Sequence, residues 1–230
     1  MDLARFYDEY RGKASDDVDE KRLKLITDRV GEGEKVLEIG GHIGLLSAKL
    51  MEKGAKVTLT DISHVALDRA IKRGVKDVIC VDTDTQALPL EDGAFDVVIS
   101  CSSMEHVFYP EKMIAEAARV LRKGGRFMLM MPNIGHFRMR LWLLMGRFPI
   151  LIDTPTDELH IRFMTLYEAK KLCKKHGLKT ISTDGNAGLW SKDLYPGFLR
   201  MKGVRYFYKK LAGIWPSMFA RDFIMVCERG

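Results

Sequence analysis

The chain has 230 residues, enough for one sizeable α/β domain. Its 47% apolar and 30% charged residues are those of an ordinary globular protein, which excludes collagen-like and disordered classes. No apolar run approaches the ~18 residues of a membrane span, and the acidic start "MDLARFYDEYRGKASDD" lacks a signal peptide's basic and apolar segments, so a cytoplasmic protein is expected.

The net charge of +6 is unevenly spread. Residues 1–133 carry 20 basic against 23 acidic side chains, and residues 134–230 carry 17 against 8. A basic C-terminal part suits a phosphate, an anionic substrate, a membrane surface or an acidic partner. The plainer reading is a solvated lysine face, as in "EAKKLCKKHG". Cys80, Cys101, Cys173 and Cys227 show no C-x-x-C pair and no histidine at finger spacing. They read as small buried hydrophobes in a reducing compartment, and no metal is expected.

In chain order, "EKRLKLITDRV" places Leu23, Ile26 and Val30 on one helical face, stopped by Gly31 and Gly33. "KVLEI" is the first strand and "GLLSAKLMEKG" a helix. "AKVTLTD" is the second strand, ending in Asp61, and "SHVALDRAIKRG" a helix with Ser63 as its N-cap. "KDVICVD" and "AFDVVIS" are strands three and four, and their continuous apolar runs predict burial on both faces. "PEKMIAEAARVLRKGG" is a helix opened by Pro110 and ended by Gly124 and Gly125, and "RFMLMMP" is strand five. An aromatic, basic excursion follows Pro132. A helix capped by Thr165, strand six in "LKTIST" and strand seven in "ARDFIMVCER" complete the chain. The alternation predicts βαβ units and a parallel sheet. No internal repeat is present.

"KVLEIGGHIGLLSAKL" joins a strand to a helix through a glycine turn, where backbone N–H groups can meet a ligand. Read from Gly40, G-G-H-I-G-L lacks the second and third glycines of a dinucleotide fingerprint. Glu38 before the loop would also repel a pyrophosphate. It suits instead a ligand with an ammonium group, such as S-adenosylmethionine (SAM). Asp61 can accept from both ribose hydroxyls, and Asp82 or Asp84 is available to the adenine amino group.

"VLEIGGHIG", "LTDIS", "DTQALPLEDGAFDVVIS" and "EHVFYPEKMIAEAARVLRKGGRFMLMMPN" resemble the successive motifs of a class I SAM-dependent methyltransferase of the type-11 group. The resemblance covers roughly residues 30–133. It implies a Rossmann-like seven-stranded α/β sheet of order 3-2-1-4-5-7-6, strand seven antiparallel, with an α/irregular cap after strand five. It implies one methyltransferase domain over residues 1–230: an N-terminal helical lid (1–33), a SAM-binding core (34–133), the cap (134–164), and a C-terminal part of the sheet with a helical insertion (165–230). Glu38, Gly40, Gly41, His42 and Gly44 would line the methionine end, Asp61 and Ile62 the ribose, and Asp84 and Thr85 the adenine. Ser102 would face the cofactor. The departure is His42, which stands where the family has its middle glycine.

A sulfonium methyl is already electrophilic, so a base is needed only for an acceptor whose proton has a high pKa. His106 after strand four is the first candidate base, with His136 and His160 in the excursion behind it. Tyr7 and Tyr10 could belong to the lid. Phe137, Leu141, Trp142, Leu144, Met145 and Phe148 could roof a pocket rimmed by Arg138, Arg140 and Arg147. "PNIGHFRMRLWLLMGRFPI" is similar to the MetW-like proteins, which accompany a homoserine acyltransferase; an acyltransferase partner or a homodimer would follow. The residues after 180 have no counterpart. The expected function is methyl transfer from SAM to a small molecule, nucleic acid being disfavoured. The alternatives are a SAM-binding accessory subunit and a methyltransferase acting on RNA or protein.

Overall fold

The computed structural model describes residues 3–11, 20–151, 154–189, 191–192 and 194–230. Residues 1–2 and 12–19 of the expected lid, and the side chain of Tyr10, lie outside the described residues. Seven strands form one sheet: β1 (Lys35–Ile39), β2 (Lys56–Asp61), β3 (Asp77–Cys80), β4 (Phe95–Cys101), β5 (Leu121–Pro132), β6 (Leu178–Asn186) and β7 (Asp222–Arg229). Their order is β3-β2-β1-β4-β5-β7-β6. The first five pair in parallel, and β7 runs antiparallel to both β5 and β6. Order and strand direction are those expected.

Successive strand residues point to opposite faces, so each apolar run feeds two cores. Leu37, Ile39, Val98, Phe127 and Leu129 join one core with Met113, Ile114 and Ala117 of α5 (Pro110–Val120) and Ala169 of α7 (Leu166–Lys175). Val36, Val97, Ile99, Met128 and Met130 join the other. There they meet Leu23 and Ile26 of α2 (Glu20–Thr27) and Leu46 and Leu50 of α3 (Leu45–Glu52). The two expected caps are present: Ser63 accepts from Ala66 N–H at the start of α4 (His64–Lys72), and Thr165 from Glu168 N–H at α7.

Two expectations need correction. β3 is an edge strand, only partly covered, and Cys80 at its end is exposed. The α5 helix ends at Val120, before the two glycines, because Leu121 is already extended and pairs with Phe95. Gly124 (φ 68°) and Gly125 lie where the β4–β5 register shifts, between Leu121 and Arg126. The stretch after residue 180, where a helical insertion was expected, builds a core of its own. Its α8 (Lys202–Ile214) and α9 (Pro216–Phe219) pack Tyr208, Ala212 and Phe219 with Tyr195 against Met139 of α6 (Phe137–Leu144). Asn133, at the end of β5, anchors this unit by donating its amide to the carbonyls of Pro216, Ser217 and Ala220 at 3.0–3.3 Å.

Candidate active site

The cleft opens at the C-terminal ends of β1, β2 and β4, the usual ligand edge of a parallel sheet. Its floor is the loop after β1. Gly40 adopts φ 67°, and a Cβ there would lie 2.5 Å from Ser103 Cβ. Gly44 (φ 74°) caps α3, with a hypothetical Cβ 2.8 Å from Ala70 Cβ. Both positions need glycine for backbone angle and for space. His42 is also left-handed, at φ 54°. That costs about 1 kcal/mol for a residue with a Cβ. The loop offsets it through Asp61, whose Oδ2 accepts His42 N–H at 2.9 Å while Oδ1 accepts Ser63 N–H at 2.9 Å. One carboxylate therefore holds the turns after β1 and β2 together.

Two lobes share Tyr7, Gly40 and His106. The narrow lobe is lined by Asp61, Ile62, Val81, Asp82, Asp84 and Met113, among others. Among the described residues no lysine or arginine lines it. Asp84 directs its carboxylate at the N–H groups of Phe108 and Tyr109, at 2.9 and 2.8 Å, fixing the start of α5. Thr85 is exposed and gives its hydroxyl to Asp82. Gly44 lines neither lobe, shaping the turn from below.

The wider lobe, about 1200 Å³ and open to solvent, is lined by Glu38, Gly41, His42, Cys101, Ser102 and Glu105, with Arg22, Asp157, His160 and Arg221 on other elements. Ser102 is the second non-glycine residue with positive φ among those described, at 54°, and Arg22 donates to its hydroxyl. Both left-handed non-glycine residues thus line this lobe, where stored strain is commonest. Glu38 is buried and accepts from Ser47 Oγ. Burial, helped by the nearby Asp61 charge, pushes its carboxyl up to about 7. Burial pushes the Cys101 thiol up to about 12, so it is no nucleophile at neutral pH.

Glu105 is 1% exposed, and burial raises its carboxyl above the usual range. Its backbone carbonyl accepts from Ile161 and Arg162 N–H at 2.9 and 3.0 Å. This pair of bonds draws the excursion onto the turn after β4. His160 thereby reaches His106, with ring centroids 5.1 Å apart. Burial lowers the His160 pKa.

The structure places His136 elsewhere. It is 0% exposed, lies outside both lobes, and caps α6 by accepting Arg138 N–H at Nδ1. Its Nε2 meets the hydroxyls of Tyr208 and Tyr195 at 3.0 and 3.1 Å, and burial pushes its pKa down to about 3. It organises the insertion core. The expected apolar roof is likewise not over the cleft: Phe137 and Trp142 pack on that core, while Leu144 and Met145 are 84% and 59% exposed. Arg138 stacks on Trp142, and Arg140 donates to Gly135 O. The cleft wall comes instead from Asp157, Leu159 and His160. Glu105, Arg22 and Arg221 were not singled out from the sequence. Only Glu105 carried a local signal, an acid beside His106 directly after a strand.

Residues 37–129 match the family model of the type-11 methyltransferase domain. The ubiquinone biosynthesis O-methyltransferase of Nitrosococcus oceani is 26% identical over 177 residues, 74% of each chain. The malonyl-acyl-carrier-protein O-methyltransferase of Geobacter sulfurreducens is 27% identical, over 79% of this chain and 69% of that one. The ubiquinone/menaquinone C-methyltransferase UbiE of Pseudomonas putida is 33% identical over 48% of this chain and 46% of its own length. Among solved structures, a Thermotoga maritima SAM-dependent methyltransferase aligns with a TM-score of 0.61 at 20% identity, covering 91% of this chain and 87% of that one. The complex of the Haloferax volcanii Trm112 activator with a methyltransferase gives 0.63 at 17% identity, covering 96% of both chains.

Proposed function

We propose that this chain, a class I SAM-dependent methyltransferase of the type-11 group, methylates a small-molecule acceptor bound in the wider lobe. The observation that carries the reading is the acidic narrow lobe, with no lysine or arginine among its described lining residues, joined to a lobe that holds two arginines. Acids without cations fit an adenosine and a sulfonium amino acid, and they disfavour a pyrophosphate. SAM, when bound, supplies a methyl group on sulfur that is already electrophilic.

The chain's own residues then have three tasks. Asp61 would accept the ribose hydroxyls, with Ile62, Val81 and Met113 as apolar walls for adenine. Glu38, with the backbone of Gly40, Gly41 and His42, would hold the ammonium end. Arg22 and Arg221 would pair with a carboxylate, of the cofactor or of the acceptor. His106 lines both lobes and donates Nδ1–H to the Leu159 carbonyl at 3.0 Å, which leaves its basic lone pair on Nε2. Ordering of α1 (Leu3–Arg11), whose Tyr7 lines both lobes, would exclude water. Asp8 of that helix accepts from Ser63 Oγ at 2.6 Å.

No described helix is long and apolar enough to cross a membrane. The four cysteines are free thiols, in keeping with a reducing cytoplasmic setting. A homodimer or acyltransferase partner would find exposed apolar side chains in Leu144 and Ile214.

The test is substrate-dependent release of S-adenosylhomocysteine across hydroxyl, amine and carbon acceptors, with small carboxylates first. Silence in every class, with SAM bound, would reject catalysis. The Glu38 carboxyl gives a second measurement. Its folded pKa of about 7 exceeds the unfolded 4.5, so its contribution to stability falls as pH rises between those values. A bound ammonium favours the ionised form, so SAM affinity should rise about eightfold between about pH 6 and pH 7.5. In Glu38→Gln that dependence should vanish; calorimetry across this range would show it.

A further inference from the structure

We propose that Glu105, His106 and His160 form a site for a divalent first-row cation, zinc or a close analogue, in the acceptor lobe. The inference deepens the methyl-transfer reading by naming how the acceptor is activated, and it rests on that reading only for the cation's role. One donor atom from each of the three residues lies within 4.8 Å of the others. A common point therefore exists within about 2.8 Å of all three, and bonds of about 2.0–2.2 Å require each donor to move in by less than about 1 Å.

Three independent features point to a cation rather than to a chance cluster. Glu105 is 1% exposed, and its Oε2 has no hydrogen-bond partner. A buried carboxylate oxygen left so is costly unless a positive group meets it. Both histidines give Nδ1–H to a backbone carbonyl, His106 to Leu159 at 3.0 Å and His160 to Pro155 at 3.2 Å. A carbonyl only accepts, so the remaining lone pair is on Nε2 in each ring. An imidazole anchored at Nδ1 by a backbone carbonyl is the usual support of metal-ligating histidines. The site also opens on the cleft, since all three residues and Asp157 line the wider lobe.

Two histidines and a glutamate make a three-ligand set that leaves a coordination position open to water or substrate. An acceptor oxygen in that position would be acidified by the cation. Its hydroxyl proton would pass to solvent water, its lone pair would form the new O–C bond, and the electrons of the broken S–C bond would stay on sulfur. The sequence alone does not suggest this, because His160 lies 54 residues beyond His106 and no ligand spacing links them.

The test is titration of the chelator-treated full chain with Co²⁺ and Zn²⁺, without SAM, followed by calorimetry and the visible absorption of Co²⁺. One equivalent is expected to bind, with a Co²⁺ spectrum of nitrogen and oxygen ligation. Glu105→Gln and His160→Ala should each weaken binding by about tenfold or more while melting cooperatively. The exposed Cys80, 3.4 Å from His64 Nε2, is the competing thiol site, so Cys80→Ser should leave binding unchanged. Absence of binding, binding insensitive to both cleft variants, or loss of binding in Cys80→Ser overturns the proposal. Cation binding in a chain that fails to bind SAM would instead reject the methyl-transfer reading and leave the site standing.

Discussion

Asp61→Ala should weaken SAM binding about 100-fold or more. The carboxylate already accepts the N–H groups of His42 and Ser63, both at 2.9 Å, and keeps free lone pairs facing the narrow lobe. Hydrogen bonds to a charged group contribute about 1.5–3 kcal/mol each, and two lost to the ribose already exceed about 2.8 kcal/mol, which is the 100-fold. The loop effect adds to this, because His42 keeps its left-handed backbone against a cost of about 1 kcal/mol only while Asp61 holds its N–H. Asp61→Asn retains an acceptor but loses the charge and should fall between the two. Calorimetric Kd values for SAM and S-adenosylhomocysteine, with melting curves alongside, check the claim. An alanine variant binding within twofold of the parent would remove Asp61 from the site.

The largest stability effect is expected at Asp222→Ala. Asp222 is 0% exposed at the start of β7, where it takes the Arg221 guanidinium and lies 3.7 Å from Arg22 Nε. Asn186 also donates to it, at 3.3 Å. Removing one member of a buried ion pair typically costs about 3–5 kcal/mol, since the other charge keeps its desolvation penalty. For a chain of this size that lowers Tm by about 6–20 °C. The same change should loosen Arg22 and Arg221, which line the wider lobe. A melting temperature within about 2 °C of the parent would show that the pair contributes little. Acceptor binding should suffer more than SAM binding, which equilibrium titrations of each can separate.

Much of this molecule was legible in the chain itself. The alternation of apolar runs with amphipathic segments is a local property, and it sufficed for the strands and helices and the caps at Ser63 and Thr165, while the strand order came from the family resemblance. The acid–glycine loop was equally local, since backbone angle and close approach restrict Gly40 and Gly44 whatever surrounds them. His42 at positive φ follows from the same turn.

Residues far apart in sequence were decided only by tertiary packing. His136 and His160 look alike in the chain, both beside aromatics and arginines. One is sealed among Tyr195 and Tyr208 by an insertion whose core forms only when α6 meets α8. The other is drawn to His106 because the Glu105 carbonyl takes two N–H groups from its loop. Backbone bonds between distant segments leave no periodic trace, and burial of a polar side chain depends on what covers it. The sequence by itself therefore determined the fold and the glycine loop after β1, while only the tertiary structure decided which histidines line the cleft.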